Sequence, residues 1–110
     1  MSRNTIQMPT LGQILRSQRQ EKKLLLRQVA AHLDIDQAIL SKIESGIRKP
    51  TKGNIIKLSE ILELDREMLM VHFLSEKIAY ELADEDCAGK VLRVAEKKVK
   101  YIKSLGHGKI

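Results

Sequence analysis

The chain of 110 residues is long enough for one small domain with an appended segment, and it can bury only a modest core. Its net charge of +6 lies mainly in residues 1–64, where 11 basic side chains oppose 6 acidic ones, as a polyanion-binding surface requires. A single cysteine excludes an intrachain disulfide, and three aromatic residues are too few for a base-stacking platform. Because the sequence also has no apolar run of ~20 residues that could span a membrane, it predicts a cytoplasmic protein.

The predicted elements begin with a flexible arm at residues 1–10 and a first helix at about 11–22. Thr10 is suited to cap this helix, because its hydroxyl oxygen can accept from a free backbone N–H of the first turn. Four side chains at helical spacing form the inward face of the helix: Leu11, Ile14, Leu15 and Gln18.

Two short helices are predicted next, at 26–33 and 37–45, with only residues 34–36 between them. Such a short link forces the two helices to cross at a steep angle, which predicts a helix-turn-helix. Gly46 ends the second helix, and Pro50 prevents its continuation. That second helix hides aliphatic side chains on one face and offers small polar and amide side chains on the others, which suits a DNA groove.

Helical patterns continue to the end of the chain, and no alternating strand pattern interrupts them. Thr51 caps a fourth helix, whose inward side chains are Ile55, Leu58, Ile61 and Leu62. Asp65 starts a longer helix that reaches about Leu82, and residues 83–86 break it. A last helix runs to about Leu105, followed by a tail at 106–110 that is predicted to fray.

The last helix carries a stripe at alternating spacings of four and three, a pattern typical of helix pairing: Ala88, Leu92, Ala95, Val99 and Ile102. Packing of this stripe on its own domain remains an alternative to dimerisation. The preceding long helix adds apolar surface, so the predicted dimer interface consists of Phe73, Leu74, Leu92, Ala95, Val99 and Ile102.

One stretch of the chain carries a specific motif, Leu40-Ser41-Lys42-Ile43-Glu44, continued by Gly46, Arg48 and Pro50. With this motif, the run from Leu11 to Leu64 resembles the DNA-binding domain of phage repressors of the lambda type, the Xre-like family. The resemblance covers about half the chain. It implies an all-α fold, namely a five-helix-type repressor DNA-binding domain, here with an extended C-terminal helical dimerisation segment at 65–105.

Two positions depart from the family pattern. Asp34 stands in the turn where the family usually has Gly, and Asp is one of the few side chains that tolerates a left-handed backbone. Leu25-Leu26 stand where the family often has Ser or Thr and then Gln, which removes a usual cap and a phosphate contact. Arg27 or Gln28 is expected to contact the DNA backbone in their place.

The resemblance implies which side chains contact DNA. Base-reading positions are Gln37, Ala38, Ser41 and Lys42. Glutamine suits adenine, lysine suits the O6/N7 edge of guanine, and the alanine methyl suits a thymine methyl; Ser41 could serve a base or a phosphate. Phosphate contacts are expected from Arg27, Gln28, Ser45, Arg48, Lys49 and Lys52, which would set register without distinguishing sequence.

Glu44 is predicted to be structural, because it lies on the inward side of the helix, where an unpaired charge is costly. The resemblance implies that its partner is Arg19 on the first helix. By contrast, the residues form no catalytic constellation. The three histidines lack ligand-spaced partners and Cys87 lacks a neighbouring histidine, so no catalytic residue, metal or cofactor is predicted.

These observations predict a sequence-specific double-stranded DNA-binding transcriptional regulator of a prokaryote or phage. It is expected to be a homodimeric repressor or controller on a palindromic operator, located in the cytoplasm and on the nucleoid when bound. The alternative is an antitoxin or other interaction protein, whose C-terminal helices bind a partner protein while the N-terminal domain only autoregulates.

Overall fold

The computed structural model describes residues 8–106, so most of the predicted arm (residues 1–7) and tail (residues 107–110) lies outside the described residues. Residues 8–106 form helices without a strand, which confirms the predicted all-α fold. The helices are α1 (Leu11–Glu21), α2 (Leu26–Leu33), α3 (Gln37–Ser45), α4 (Lys52–Ile61), α5 (Arg66–Leu82) and α6 (Ala88–Ser104). The predicted bounds of the first three helices are met to within one residue.

The chain divides into two compact units, unit 1 up to Lys77 and unit 2 from Ile78 onward. Unit 1 contains α1 to α4 and the first two thirds of α5, and unit 2 contains the end of α5 and α6. The proposed separation of a DNA-binding part at 11–64 from a dimerising part at 65–105 stays a prediction. In the part of the chain that the structure describes, no helix has both the length and the apolar character needed to cross a membrane.

Three of the predicted helix starts, those of α1, α4 and α5, carry side-chain caps. Thr10 and Thr51 each accept a hydrogen bond from the backbone N–H three residues later, at 3.1 and 3.0 Å. Asp65 Oδ2 accepts from the N–H of Met68 at 2.8 Å. These bonds satisfy backbone donors that a helix leaves free in its first turn, which is why the helices begin at these residues.

The first four helices end in the same way, at one residue with a left-handed backbone: Lys23 (φ 58), Asp34 (φ 60), Gly46 (φ 85) and Glu63 (φ 54). The predicted left-handed turn at Asp34 is therefore present. The residue that follows donates its N–H to the carbonyl five positions earlier, from Leu24 to Arg19, Ile35 to Ala30, Ile47 to Lys42 and Leu64 to Ser59. This is the Schellman motif, which usually brings an apolar residue back onto its helix.

The core of unit 1 draws on all five of its helices. Its buried hydrophobic side chains are Leu11, Leu15, Val29, Ala30, Leu33, Leu40, Ile43, Ile55, Leu58, Leu62, Leu69 and Phe73. The prediction that Phe73 belongs to a dimer interface is wrong in this respect, since only 5% of it is exposed. Its spacing from Leu69 places both side chains on the inward face of α5, one helical turn apart.

Helix α1 approaches the end of α3 very closely at Gly12. A Cβ built on this buried glycine would lie 2.2 Å from the carbonyl oxygen of Glu44 and 2.8 Å from that of Ile43. Only a residue without a side chain permits this distance, so Gly12 sets the position of α1 against α3.

A surface pair joins the ends of α1 and α4. Lys22 Nζ lies 2.5 Å from Glu63 Oε1, and the hydrogen bond and charge of Lys22 lower the pKa of Glu63 below its ordinary value. The Glu63 side chain is 74% exposed, so solvent screens the pair and it contributes little to stability.

Candidate DNA interface

Helix α3 has two distinct faces. Leu40, Ile43 and Glu44 are buried, and they occupy one side of the helix. The four side chains predicted to contact bases, Gln37, Ala38, Ser41 and Lys42, are all exposed, as is Ser45. At 3.6 residues per turn these five form one continuous arc opposite the buried side. The structure therefore brings the predicted base-contacting residues together on a single solvent-facing surface.

The loop after α3 is tied to the end of that helix. The carbonyl oxygen of Lys42 accepts from the N–H of Ile47 at 2.9 Å, from the N–H of Arg48 at 3.2 Å and from Ser45 Oγ at 3.1 Å. These bonds fix the backbone of the loop relative to α3. Arg48 and Lys49 are exposed on this loop, and Lys52 is exposed at the first residue of α4, whose N-terminus favours an anion.

The start of α2 shows how the chain compensates for the missing polar cap. Leu25 offers no side-chain acceptor, and Gln28 Oε1 instead accepts from the N–H of Leu25 at 2.7 Å. The carbonyl end of Gln28 is thus used within the helix, and only its amide N–H groups remain to donate to a phosphate. Arg27 beside it is exposed and supplies the charge at this site.

Exposed cations near α3 form no ion pair within the part of the chain that the structure describes. Within residues 8–106, no carboxylate lies within 4.0 Å of the cationic atoms of Arg27, Lys42, Arg48, Lys49 or Lys52. Unpaired cations are what phosphate contacts require, because binding then displaces only water and counterions.

Arg19, by contrast, is paired with Glu44, as the resemblance implied. Its Nε lies 2.7 Å from Glu44 Oε2, and its second terminal nitrogen donates to Oε1 at 3.1 Å. The remaining nitrogen donates to the carbonyl of Leu24 at 2.9 Å. With side chains 12% and 6% exposed, this bidentate pair attaches α1 and the α1–α2 loop to the recognition helix.

Ile47 is a residue that the sequence interpretation missed. In the other three Schellman motifs the apolar residue after the left-handed position, Leu24, Ile35 or Leu64, packs against the core. Ile47 occupies the same place after α3 but is 76% exposed. An aliphatic side chain left in solvent between the recognition helix and Arg48 is suited to contact a thymine methyl or a deoxyribose. The sequence signal that could have identified Ile47 was its position between the helix-ending Gly46 and the predicted phosphate contact Arg48.

The other residues predicted at a dimer interface are exposed in this chain. Leu74, Leu92, Val99 and Ile102 show between 40% and 56% of their surface, and Ala95 is exposed as well. Helix α6 has no buried residue. In residues 8–106 no three His, Cys, Asp or Glu side chains are grouped so that they could hold a metal ion.

Comparison with known proteins identifies the family to which this helical arrangement belongs. A family model described as helix-turn-helix matches residues 15–69. The chain is 39% identical over 64 residues to the HTH-type transcriptional repressor RghR of Bacillus subtilis (strain 168), a match covering 57% of this chain and 47% of that protein. It is 41% identical over 64 residues to the HTH-type transcriptional regulator RghRB of the same strain, with 57% and 46% covered.

A further relative, an HTH-type transcriptional regulator of Mycobacterium tuberculosis (strain CDC 1551 / Oshkosh), is 32% identical over 60 residues, with 54% of this chain and 43% of that protein covered. The match thus spans about half the length of these curated relatives. No solved structure gives a significant match to the chain.

Proposed function

Because the chain belongs to the Xre-like helix-turn-helix family, we propose that it is a sequence-specific, double-stranded DNA-binding transcriptional regulator that acts in the cytoplasm of a prokaryote as a homodimeric repressor. The observation that carries this proposal is the solvent-facing arc of α3, which groups four base-contacting side chains beside unpaired cations. The names of the two Bacillus relatives, a transcriptional repressor and a transcriptional regulator, support it.

In the proposed complex α3 enters the major groove, and its exposed arc contacts base edges. Gln37 pairs with an adenine, and Lys42 donates to the O6 and N7 atoms of a guanine. Arg27, Arg48 and Lys49 contact phosphates and hold α3 in register. The Arg19–Glu44 pair keeps the opposite side of α3 against the core, so the helix presents a constant arc to the DNA.

A homodimer follows from the number of bases that one helix can contact. A single recognition helix covers too few base pairs to define a site in a genome, and two copies about 34 Å apart are the usual solution. Apolar side chains for the second contact are available on α5 and α6, where Leu74, Leu92 and Ile102 are exposed.

The rival function is an antitoxin or another interaction protein whose α6 binds a different partner. The exposed stripe of α6 favours it, since an apolar helix face in solvent needs a partner of some kind. Sedimentation of the purified protein separates the two functions. A dimer at micromolar concentration supports the repressor, whereas a monomer with an accessible stripe supports the rival.

Selection of bound sites from a random duplex library tests the proposal. We expect the wild type to enrich a palindromic site, and Lys42→Ala to change the preferred base at one position per half-site at a cost of roughly 1–3 kcal/mol. Lys49→Ala, the matched control, weakens all sequences about equally because it removes a phosphate contact. Failure to enrich any site, or an identical change in specificity for both variants, would contradict the assignment.

A further inference from the structure

The outward face of α5 is apolar. Val71, Leu74 and Ile78 recur at spacings of three and four, and they are 57%, 40% and 46% exposed. These positions lie on the side of the helix opposite Leu69 and Phe73, which enter the core. A helix that buries one side and leaves an apolar stripe on the other is prepared for a second contact.

The same stripe carries negative charge. Glu67 lies one turn before Val71, and Glu81 lies one turn after Ile78. The nearest cation of the helix, Lys77, is directed away, with its Nζ 5.2 Å from the ring centre of Phe73. Across residues 65–86 there are seven acidic and two basic side chains, a net charge of −5.

Helix α6 has the opposite charge. It contains six Lys and Arg and one Glu, a net charge of +5. Its apolar residues occupy about half of the helix circumference, and Lys98 projects from within that half, next to Val91. Among the described residues, Val91, Leu92 and Val94 on this face are 38%, 50% and 48% exposed.

Pairing of α6 with α6 of a second copy would place two strongly basic helices side by side, with Lys98 of each near the contact. Like charges in such an arrangement repel, whereas the acidic stripe of α5 complements them. We propose that the partner of this chain is a second copy, in which α6 of each subunit docks on the outward face of α5 of the other. The two contacts are then equivalent, and the dimer is closed. This pairing rests on the homodimer of the proposed function and specifies how it forms.

A charge exchange tests the pairing, with the dimer dissociation constant measured by sedimentation equilibrium. Glu81→Lys and Lys98→Glu are each expected to weaken the dimer roughly tenfold, because each reversal places like charges across the proposed contact and a symmetric dimer contains that contact twice. The double variant should recover most of the wild-type affinity. Glu21→Lys, an exposed charge reversal on α1, is the matched control and should leave dimerisation unchanged.

Two results would overturn the pairing. One is a tighter dimer in Lys98→Glu with no effect of Glu81→Lys, as α6–α6 pairing predicts. The other is a double variant whose loss of dimerisation free energy equals the sum of the losses in the two single variants. Since both positions are exposed helix residues, the variants should keep the circular dichroism spectrum of the wild type.

Disulfide crosslinking gives a second measurement that does not depend on charge. In a Cys87→Ser background, a Leu74→Cys protein mixed with an Ala95→Cys protein should form crosslinks between the two variants, and neither should crosslink efficiently alone. Efficient crosslinking of Ala95→Cys with itself would overturn the proposal. Binding of each variant to a single half-site duplex at low salt is measured in parallel. A failure of DNA binding there contradicts the proposed function, while a failure of the exchange contradicts only the pairing.

Discussion

At the scale of single residues, the Arg19–Glu44 pair shows how a buried charge serves a DNA-binding surface. Every oxygen of Glu44 and every nitrogen group of Arg19 has a partner within 3.1 Å. The pair holds α3 by its inward side and leaves the outward arc free. Removing one member leaves the other charge buried without compensation.

Glu44→Ala is therefore expected to lower the free energy of unfolding by roughly 3–5 kcal/mol, measured by urea denaturation. Glu63→Ala is the matched control, because its partner Lys22 is also a cation but the pair lies at the surface. Glu63→Ala should lower the free energy of unfolding far less than Glu44→Ala. Equal losses in the two variants would show that burial of the Arg19–Glu44 pair does not determine its contribution.

Ile47 gives a second test at this scale. Because its side chain is 76% exposed, Ile47→Ser should leave the unfolding midpoint nearly unchanged and should weaken binding to the selected DNA site. Ile35→Ser, at the equivalent position after α2, removes a side chain that packs on the core and should lower stability. Full DNA affinity in Ile47→Ser would exclude a contact by this residue.

At the scale of helices, spacing and caps determine where each element lies. The threonine caps and the turn residues were recognisable from sequence, because capping depends on side chains within three positions of the helix start. The left-handed residues Lys23 and Glu63 were not recognisable from sequence, since neither Lys nor Glu favours a left-handed backbone. There the apolar residue that follows, packed on the core, decides the conformation.

The close approach of α1 to α3 predicts opposite effects for two glycine substitutions. Gly12→Ala should destabilise the protein by about 1–3 kcal/mol, because the new Cβ would overlap the backbone of Glu44. Gly53→Ala, in the exposed first turn of α4, has its nearest contact 3.7 Å away and should be neutral or stabilising by up to about 1 kcal/mol. Thermal unfolding measures both, and a stable Gly12→Ala protein would contradict the close approach.

At the scale of the whole molecule, charge is divided along the chain. Unpaired cations surround α3, residues 65–86 are acidic and α6 is basic. The first group favours DNA, and in the proposed dimer the other two attract each other. Binding to DNA is expected to depend strongly on salt, since each phosphate contact releases counterions.

The logarithm of the binding constant should fall linearly with the logarithm of salt concentration, and Lys52→Ala should reduce the size of the slope by about 1 per half-site. Lys100→Ala is the control, because Lys100 lies on α6 and pairs with Glu96 at 3.6 Å. Fluorescence anisotropy over a salt series provides the measurement. A slope that is the same in wild type and Lys52→Ala would remove Lys52 from the phosphate contacts.

The helices, the turn between α2 and α3 and the exposed arc of α3 are predictable from the sequence, because apolar spacing and capping are local properties. The remaining features depend on contacts between distant parts of the chain. The resemblance implied the Arg19–Glu44 pair, but its burial and bidentate geometry depend on how α1 meets α3. Phe73 and Ile47 are both apolar, and hydrophobicity by itself does not show which of them is buried. The core of unit 1 buries Phe73 and leaves Ile47 in solvent, because packing between distant helices determines which apolar side chains lose contact with water.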